Sequence, residues 1–254
     1  MKTLFSSLVP TVLAASFWSW LVPVPDLPAG HDGLCRIAMA GTVETILCEV
    51  PLAGYDLTLR ALDASDRPYE TFENAAKSVS SPVVLAMNAG MYHEDRRPVG
   101  LTVQDGRTLK NAVLGTGSGN FSLRPNGVFY VENGRAFVRE TQAYLDEGHA
   151  PALATQSGPM LLIDGSVHPR FIENSDSLYV RNGVGVSADG GIVYLALTRK
   201  PINFHDFAVF FRDTVGVRDA LFFDGQVSSL SYPAAGIAYR RDRLGPILLV
   251  TEKD

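Results

Sequence analysis

Positive charge is in short supply in this sequence. Its 254 residues include 22 Lys and Arg against 27 Asp and Glu, which gives a formal net charge of −5. A domain that binds nucleic acid usually carries a surplus of positive charge on one face. The composition therefore argues against a nucleic-acid partner.

The signatures of several common enzyme classes are also missing. The sequence has no Gly-x-Ser-x-Gly nucleophile elbow, no phosphate-binding P-loop, no dinucleotide-binding glycine pattern and no zinc-binding spacing of Cys and His. Enzymes built on those motifs are disfavoured. No residue pattern demands a cofactor, so we predict none.

Cysteine is scarce as well. The two cysteines, Cys35 and Cys48, lie in a stretch that has the pattern of two short strands around Gly41. In an oxidising compartment we expect them to form a cross-strand disulfide. The alternative is a pair of buried free thiols.

Charge is almost absent from the first 25 residues. After Lys2 the next charged residue is Asp26, and residues 8–21 are mostly apolar. This pattern is typical of an export signal peptide, although the uncharged run is also long enough for an uncleaved membrane anchor. Residues 1–25 are predicted to be one or the other. The protein would then be exported, and either periplasmic or anchored facing the periplasm.

Helical patterns are few and turn signals are many. Apolar spacing predicts one clear helix over residues 204–215 and a weaker one over residues 69–79. Dipeptides typical of hairpin turns separate short apolar runs at Asp105-Gly106, Asn133-Gly134, Asp164-Gly165 and Asp189-Gly190. We predict a single α+β domain over residues 34–254, with a strand-rich mixed sheet, several hairpins and a few flanking helices.

Polar residues follow buried strands at several points. Asp224 comes directly after an apolar strand, where partial burial would make its pKa sensitive to neighbours, although an ordinary Asp-Gly turn is the alternative. Arg181 precedes a strand that contains two glycines, where its guanidinium could bind a phosphate or form a structural salt bridge. These positions are candidate site residues.

Six segments of the sequence together resemble one family. In chain order they are NAGMYHEDRRPVGL, GNFSLRPNGVFYV, ATQSGPMLLIDGSVHPRF, RNGVGV, INFHDFAVFFRD and DALFFDGQVSSL. They resemble successive blocks of the phosphodiester glycosidase family, which includes the lysosomal uncovering enzyme. The chain is most similar to the bacterial branch of exported, exopolysaccharide-associated proteins. The resemblance covers about residues 34–254.

The resemblance implies a hydrolase that cleaves the bond between the anomeric carbon of a sugar and a phosphate oxygen. One departure is clear, because members of the uncovering-enzyme type read Asp-Gly-Gly-Gly-Ser where this chain has Gln226 and Val227 after Asp224-Gly225. The loop after the strand is therefore bulkier here. That difference bears on the substrate more than on the position of the site.

Phosphate is a good leaving group, so such a site needs charge stabilisation more than a strong acid. We predict that Arg181 supplies this charge. Asp224 is the predicted carboxylate for the oxocarbenium-like centre, and Glu94 is its reserve. The predicted substrate-binding residues are Asn88, Gly90, His93, Gln156, Ser157, Gly158, Asn203, Gly225 and Ser228. His93 and His168 are candidate proton shuttles, although an ordinary turn or surface histidine is the alternative.

Two alternatives stay open. The chain could be a non-catalytic envelope protein that binds a phosphorylated or acidic glycan through the same residues, and that glycan is the expected partner in either case. Asp224 with Glu94 or Asp95 could hold a divalent cation through oxygen ligands, but the pattern is weak and we predict no metal.

Overall fold

Strands dominate the structure. The computed structural model describes residues 33–115, 119–240 and 242–253. The predicted signal or anchor segment, residues 1–25, lies outside the described residues. The strands are β1 (Cys35–Ala40), β2 (Val43–Pro51), β3 (Tyr55–Arg60), β4 (Val83–Asn88), β5 (Thr102–Gln104), β6 (Arg107–Lys110), β7 (Gly127–Glu132), β8 (Arg135–Glu140), β9 (Leu153–Ser157), β10 (Met160–Ile163), β11 (Ser166–Val167), β12 (Asn182–Val186), β13 (Ile192–Thr198), β14 (Ala220–Phe222), β15 (Leu230–Tyr232), β16 (Ile237–Tyr239) and β17 (Ile247–Glu252).

In the described ranges, three short α-helices accompany the strands, with short 3-10 helices at Asn120–Ser122 and Pro233–Ala235. They are α1 (Phe72–Ala76), α2 (Thr141–Glu147) and α3 (Phe204–Val209), and a π-helical segment, Phe210–Val215, continues α3. α3 and this π-helical segment together span the helix predicted over residues 204–215. The other predicted helix is shorter than expected, because Glu70 has a left-handed φ of 62° and pairs with Leu244 instead of entering a helix. No described helix is long and apolar enough to span a bilayer.

The strands form three sheets. The first has the order β1-β2-β13-β12-β14-β10-β11, the second β16-β15-β4-β17-β3, and the third β6-β5-β9-β7-β8. The strand-rich α+β fold and the single domain are confirmed. The pairs described in these sheets are antiparallel, and several of them, such as β1 with β2 and β7 with β8, are joined by two-residue turns.

The predicted hairpin turns are present. Asn133-Gly134 joins β7 to β8, and the two residues have φ values of 51° and 73°. Asp105-Gly106 and Asp164-Gly165 likewise have positive φ at both positions and join paired strands. Two consecutive positive φ values are typical of the type I′ turn, whose twist matches that of the strands it connects.

The hairpin of β1 and β2 carries the disulfide. Cys35 and Cys48 are directly opposite each other in the strand register, and their sulfur atoms are bonded at 2.07 Å. Both residues are buried, and they belong to the central core. The bond fastens an edge strand to the first sheet.

One hydrophobic core is shared by all three sheets. It contains Ile46 from the first sheet, Leu248 from the second and Phe129 from the third. The outer face of each sheet has a smaller apolar cluster covered by one helix: Phe207 of α3, Phe72 of α1 and Tyr144 of α2 contribute to these clusters. The three sheets therefore pack around one common core.

A candidate active-site cavity at the strand ends

A cavity of about 520 Å³ lies beside the start of β12 and the end of β14. Arg181, immediately before β12, and Asp224 with Gly225, two residues after β14, line it together. The pairing of β12 with β14 explains their proximity, because Gly183 is opposite Phe222 in the register. A Cβ on Gly183 would lie 2.9 Å from the carbonyl oxygen of Leu221, so glycine permits this close approach.

Arg181 is a buried cation. Its side chain is 1% exposed, its Nε donates to the carbonyl of Ile202 at 2.8 Å, and its Nη2 donates to the carbonyl of Ser177 at 2.9 Å. The guanidinium carbon lies 3.5 Å from the centre of the Phe204 ring. These contacts fix the plane of the guanidinium and hold it at the cavity wall.

No acidic side chain among the described residues forms an ion pair with Arg181, and none of those residues accepts a hydrogen bond from Nη1. Burial lowers the pKa of Arg181 to about 9, which leaves the group positively charged at neutral pH. A buried charge with carbonyl partners and an aromatic face, but no described carboxylate, has the properties that an anion-binding group needs.

Asp224 is the carboxylate of the cavity. It is half-buried, and its Oδ1 accepts a hydrogen bond from the backbone N–H of Gln226 at 3.1 Å. Burial raises the pKa of Asp224 from 3.8 to about 6, because the hydrogen bond from Gln226 only partly offsets the loss of hydration. A carboxyl group with such a pKa changes its charge close to neutral pH.

A cluster of polar side chains supports the Asp224 loop from behind. Asn182 Oδ1 accepts from the backbone N–H of Asp224 at 3.3 Å and from Ser228 Oγ at 3.3 Å. Ser228 Oγ is also within 3.2 Å of the carbonyl of Asp224. Asn88 Nδ2 donates to that carbonyl at 3.4 Å, and its Oδ1 accepts from the N–H of Ser229 at 2.8 Å. All three polar side chains are fully or almost fully buried.

Asn88 and Ser228 therefore contact protein groups with their polar atoms, and neither is among the residues that line the cavity. Gly225 does line it. Asn182, which the sequence analysis did not select, is at the centre of the cluster. The sequence feature that could have identified Asn182 is its position next to Arg181, at the start of a strand that contains two glycines.

Four further predicted residues lie behind the cavity. Gln156 is buried, and its side-chain amide pairs with the backbone of Val113 in both directions, at 2.9 Å. Ser157 Oγ donates to the carbonyl of Phe223 at 2.8 Å, which steadies the chain just before Asp224. Gly90 packs closely against Gln156, and Gly158 against Asn126.

The remaining predicted residues lie apart from the cavity wall. Asn203 is the N-cap of α3, and its Oδ1 accepts from the N–H of Asp206 at 2.8 Å. His93 and Glu94 are exposed in the turn after Tyr92, and neither lines the cavity. His168 is buried, its ring stacks on Phe171, and burial lowers its pKa.

Sequence reasoning missed part of the wall. The other lining residues include Tyr92, Asn120, Ser122, Ser177, Tyr179 and Gln226. Most of them lie in irregular segments that have no periodic pattern. Tyr92 donates to the carbonyl of Arg243 at 2.9 Å, and burial together with the charge of Asp224 raises its pKa, so it remains protonated.

In the described ranges, no group of three or more His, Cys, Asp or Glu side chains is placed to hold a metal ion. The polar side-chain groups that line the cavity are thus one guanidinium, one carboxyl group, and several hydroxyls and amides. Such a set can bind an anion and stabilise positive charge developing beside it.

Comparison with solved structures shows that the fold is shared. The catalytic domain of zebrafish N-acetylglucosamine-1-phosphodiester α-N-acetylglucosaminidase, auto-inhibited by its pro-peptide, has a TM-score of 0.63 at 15% identity, covering 91% of this chain and 89% of that one. A protein from Burkholderia pseudomallei K96243 whose name describes it as exported has a TM-score of 0.55 at 13% identity, covering 82% and 74%.

Comparison of sequences shows the family. The uncharacterized protein YigE of Escherichia coli K12 is 36% identical over 159 residues, which are 63% of this chain and 62% of YigE. The match thus spans less than two thirds of that relative's length. A family model described as phosphodiester glycosidase matches residues 81–243, more than half of the sequence and the segment that contains both Arg181 and Asp224. The chain belongs to the phosphodiester glycosidase family.

Proposed function

We propose that this protein hydrolyses sugar-1-phosphodiesters, with Arg181 binding the phosphate and Asp224 acting at the anomeric carbon. The observation that carries the proposal is the presence, in one cavity, of a buried cation without a described carboxylate partner and a carboxyl group with a raised pKa. Membership of the family supports the same reaction class.

Arg181 has the geometry for the phosphate. Its Nε and Nη2 are held by the carbonyls of Ile202 and Ser177, so the guanidinium cannot rotate away from the cavity. A phosphate oxygen would complete its hydrogen bonding and supply the missing negative charge. As the glycosidic bond breaks, charge accumulates on this phosphate, and a fixed guanidinium stabilises that charge without reorganisation.

Asp224 would stabilise the positive charge that develops at the anomeric carbon. The bond between that carbon and the phosphate oxygen breaks, its electron pair leaves with the phosphate monoester, and the oxygen of a water molecule ends on the carbon. A phosphate monoester leaves readily, so one carboxylate and one guanidinium suffice for the charges involved. Asn88, Asn182 and Ser228 are positioning residues that fix the Asp224 loop.

The setting of the reaction belongs to the proposal as well. The apolar segment at residues 8–21 supports export, either as a cleaved signal peptide or as a membrane anchor. The similarity in fold to a protein named as exported is consistent with this. The substrate would then be a phosphodiester-linked glycan of the cell envelope or an exopolysaccharide.

The competing proposal is a non-catalytic protein that binds a phosphorylated glycan in the same cavity. The raised pKa of Asp224 favours the enzyme, because a binding site for an anion gains nothing from a carboxylate beside the phosphate. Both proposals need Arg181. Only the enzyme needs the negative charge of Asp224.

The test is hydrolysis of an N-acetylglucosamine-1-phospho-alkyl ester by the wild type and two variants, with binding of a non-hydrolysable analogue measured in parallel. Asp224→Asn keeps the shape and removes the charge, so kcat should fall more than tenfold while binding survives. Arg181→Lys should weaken both, since an ammonium lacks the planar fork. Binding of the analogue with no turnover by the wild type would favour the binding protein.

A further inference from the structure

Exposed apolar side chains are concentrated in the chain segment that precedes Arg181. Among the described residues, seven large hydrophobic side chains are exposed, and three of them, Ile172, Leu178 and Tyr179, lie on the segment between His168 and Arg181. Ile172 is 71% exposed and Leu178 51%. Exposed apolar side chains concentrated beside a binding cavity are a feature of ligand-contacting surfaces.

This segment borders a second, smaller cavity. The small cavity has a volume of about 100 Å³ and is lined by Leu123, Phe171 and Ile172, among others. It shares Ser177 and Phe204 with the main cavity. The two cavities are therefore adjacent, and the shared residues are those that contact Arg181.

The ring stack that underlies the small cavity is rigid. Phe171 stacks on His168 with ring centres 4.7 Å apart and on Phe204 with ring centres 5.0 Å apart. Phe204 in turn carries the guanidinium of Arg181 on its face. The rings of Phe204 and Phe171 therefore connect the guanidinium to the wall of the small cavity, which Ile172 also lines.

We infer that this adjoining surface, made by Leu123, Phe171 and Ile172, binds an apolar alcohol group on the far side of the phosphate. The inference rests on the proposed function, because the phosphate at Arg181 sets the point from which the chain extends. It names the substrate class more closely as a sugar-1-phosphate ester of a long alkyl or prenyl alcohol.

The lining of the small cavity agrees with an apolar ligand on most sides. Four of the residues that line it, Leu123, Phe171, Ile172 and Phe204, are apolar, and Arg170 and two serines complete the wall. A polar acceptor, such as a second sugar, would leave Ile172 and Phe171 without matching contacts and would gain little there.

The first experiment measures binding of octyl phosphate and methyl phosphate, two probes that need no catalysis. Burial of two methylene groups gives about a tenfold gain in affinity, so octyl phosphate should bind the wild type at least about tenfold more tightly. The Leu123→Ser/Ile172→Ser variant should lose most of that ratio. Met39→Ser, which removes an exposed apolar side chain of the edge strand β1 that lines neither cavity, is the matched control and should keep it.

Three outcomes of this experiment would overturn the inference. Equal affinities for the two phosphates would overturn the inference, even if short esters are hydrolysed and the proposed function stands. A chain-length ratio that persists in the double variant would also overturn it, because the alkyl chain would then bind elsewhere. If neither phosphate binds, the phosphate site at Arg181 fails, and with it both proposals.

The second experiment tests whether the length of the alkyl chain also affects turnover, and it uses methyl and octyl esters of N-acetylglucosamine 1-phosphate. In the wild type, kcat/KM should rise about tenfold or more from methyl to octyl, through a lower KM. The double variant should show a ratio near one, and Met39→Ser the wild-type ratio. A rise in kcat/KM that is equal in all three proteins would contradict the inference.

Discussion

Asn182 donates a hydrogen bond of 2.9 Å from its Nδ2 to Oδ1 of Asn88, and a second of 3.1 Å to the backbone carbonyl of the same residue. The two asparagines belong to different sheets, since Asn88 ends β4 and Asn182 begins β12. Through Oδ1 of Asn182, this contact continues to the N–H of Asp224. The position of the carboxylate is therefore determined by the junction of two sheets.

The Asn182→Ala variant tests that junction. It leaves Asn88 and the N–H of Asp224 without their partner in a buried place, so the free energy of unfolding should fall by about 1–3 kcal/mol. Activity per folded molecule should fall too, because the Asp224 loop loses its support. Urea denaturation and initial rates measure the two effects.

The control for this variant is Asn74→Ala, which removes an exposed amide of α1. It should change stability by less than about 0.5 kcal/mol. An Asn182→Ala protein as stable and as active as this control would show that the junction does not position Asp224.

The pH dependence of turnover follows from the pKa of Asp224, which burial raises to about 6. In the proposed role the carboxylate must be ionised. Below pH 6, kcat should rise about tenfold per pH unit, and above it the rate should level off. A profile of kcat from pH 4.5 to 8 measures this, and a rate that falls as the pH passes through 6 would mean that the protonated group is the active form.

The same pKa predicts a gain in stability on removal of the charge. The folded state binds the Asp224 proton more tightly than the unfolded state, with a pKa of about 6 against 3.8, so ionisation between these values destabilises the fold. Asp224→Asn should therefore be more stable than the wild type at pH 7.5, by about 1–3 kcal/mol. Near pH 4 the difference should vanish.

Denaturation curves at both pH values check this, with Asp146→Asn as the matched change at an exposed carboxylate. The exposed variant should show no comparable gain at pH 7.5. If Asp224→Asn is less stable than the wild type at pH 7.5, the carboxylate is held by favourable contacts and its burial does not raise its pKa.

The disulfide gives a further prediction. A Cys35→Ala/Cys48→Ala protein should lose about 2–4 kcal/mol of stability, because the bond limits the freedom of the unfolded chain. Thiol labelling of the wild type in denaturant without reductant should find no free cysteine. Quantitative labelling would contradict the pairing, and an unchanged stability would show that the hairpin register alone holds β1.

The sequence predicts the hairpins well because their signals are local. Asn133-Gly134 and Asp105-Gly106 supply the positive φ values that a type I′ turn needs, and no distant residue is required. The helix at residues 204–215 is predictable for a similar reason, from its own apolar spacing and the N-cap at Asn203. The weaker helix predicted over residues 69–79 is shorter in the structure, where α1 begins at Phe72. Its start depends on a distant contact, because Glu70 pairs with Leu244.

The candidate site is predicted less completely. Arg181 and Asp224 could be selected because charged residues next to buried strands are uncommon. Asn88 could be selected too, but its part in supporting the Asp224 loop depends on Asn182 and Ser229, which approach it from other strands. Sequence patterns do not reveal which of two polar neighbours faces a cavity and which faces a buried backbone group.

The guanidinium of Arg181, which has no carboxylate partner among the described residues, has a consequence for the reaction cycle. On the proposed function it binds the phosphate of the product as well as that of the substrate. A phosphate diester carries one negative charge, whereas the monoester released on hydrolysis carries about 1.5 to 2 near pH 7. On the proposed function, the product is thus the better counter-ion, and its departure competes with the next turnover. The enzyme would then work fastest where another reaction removes the phosphate monoester as it forms.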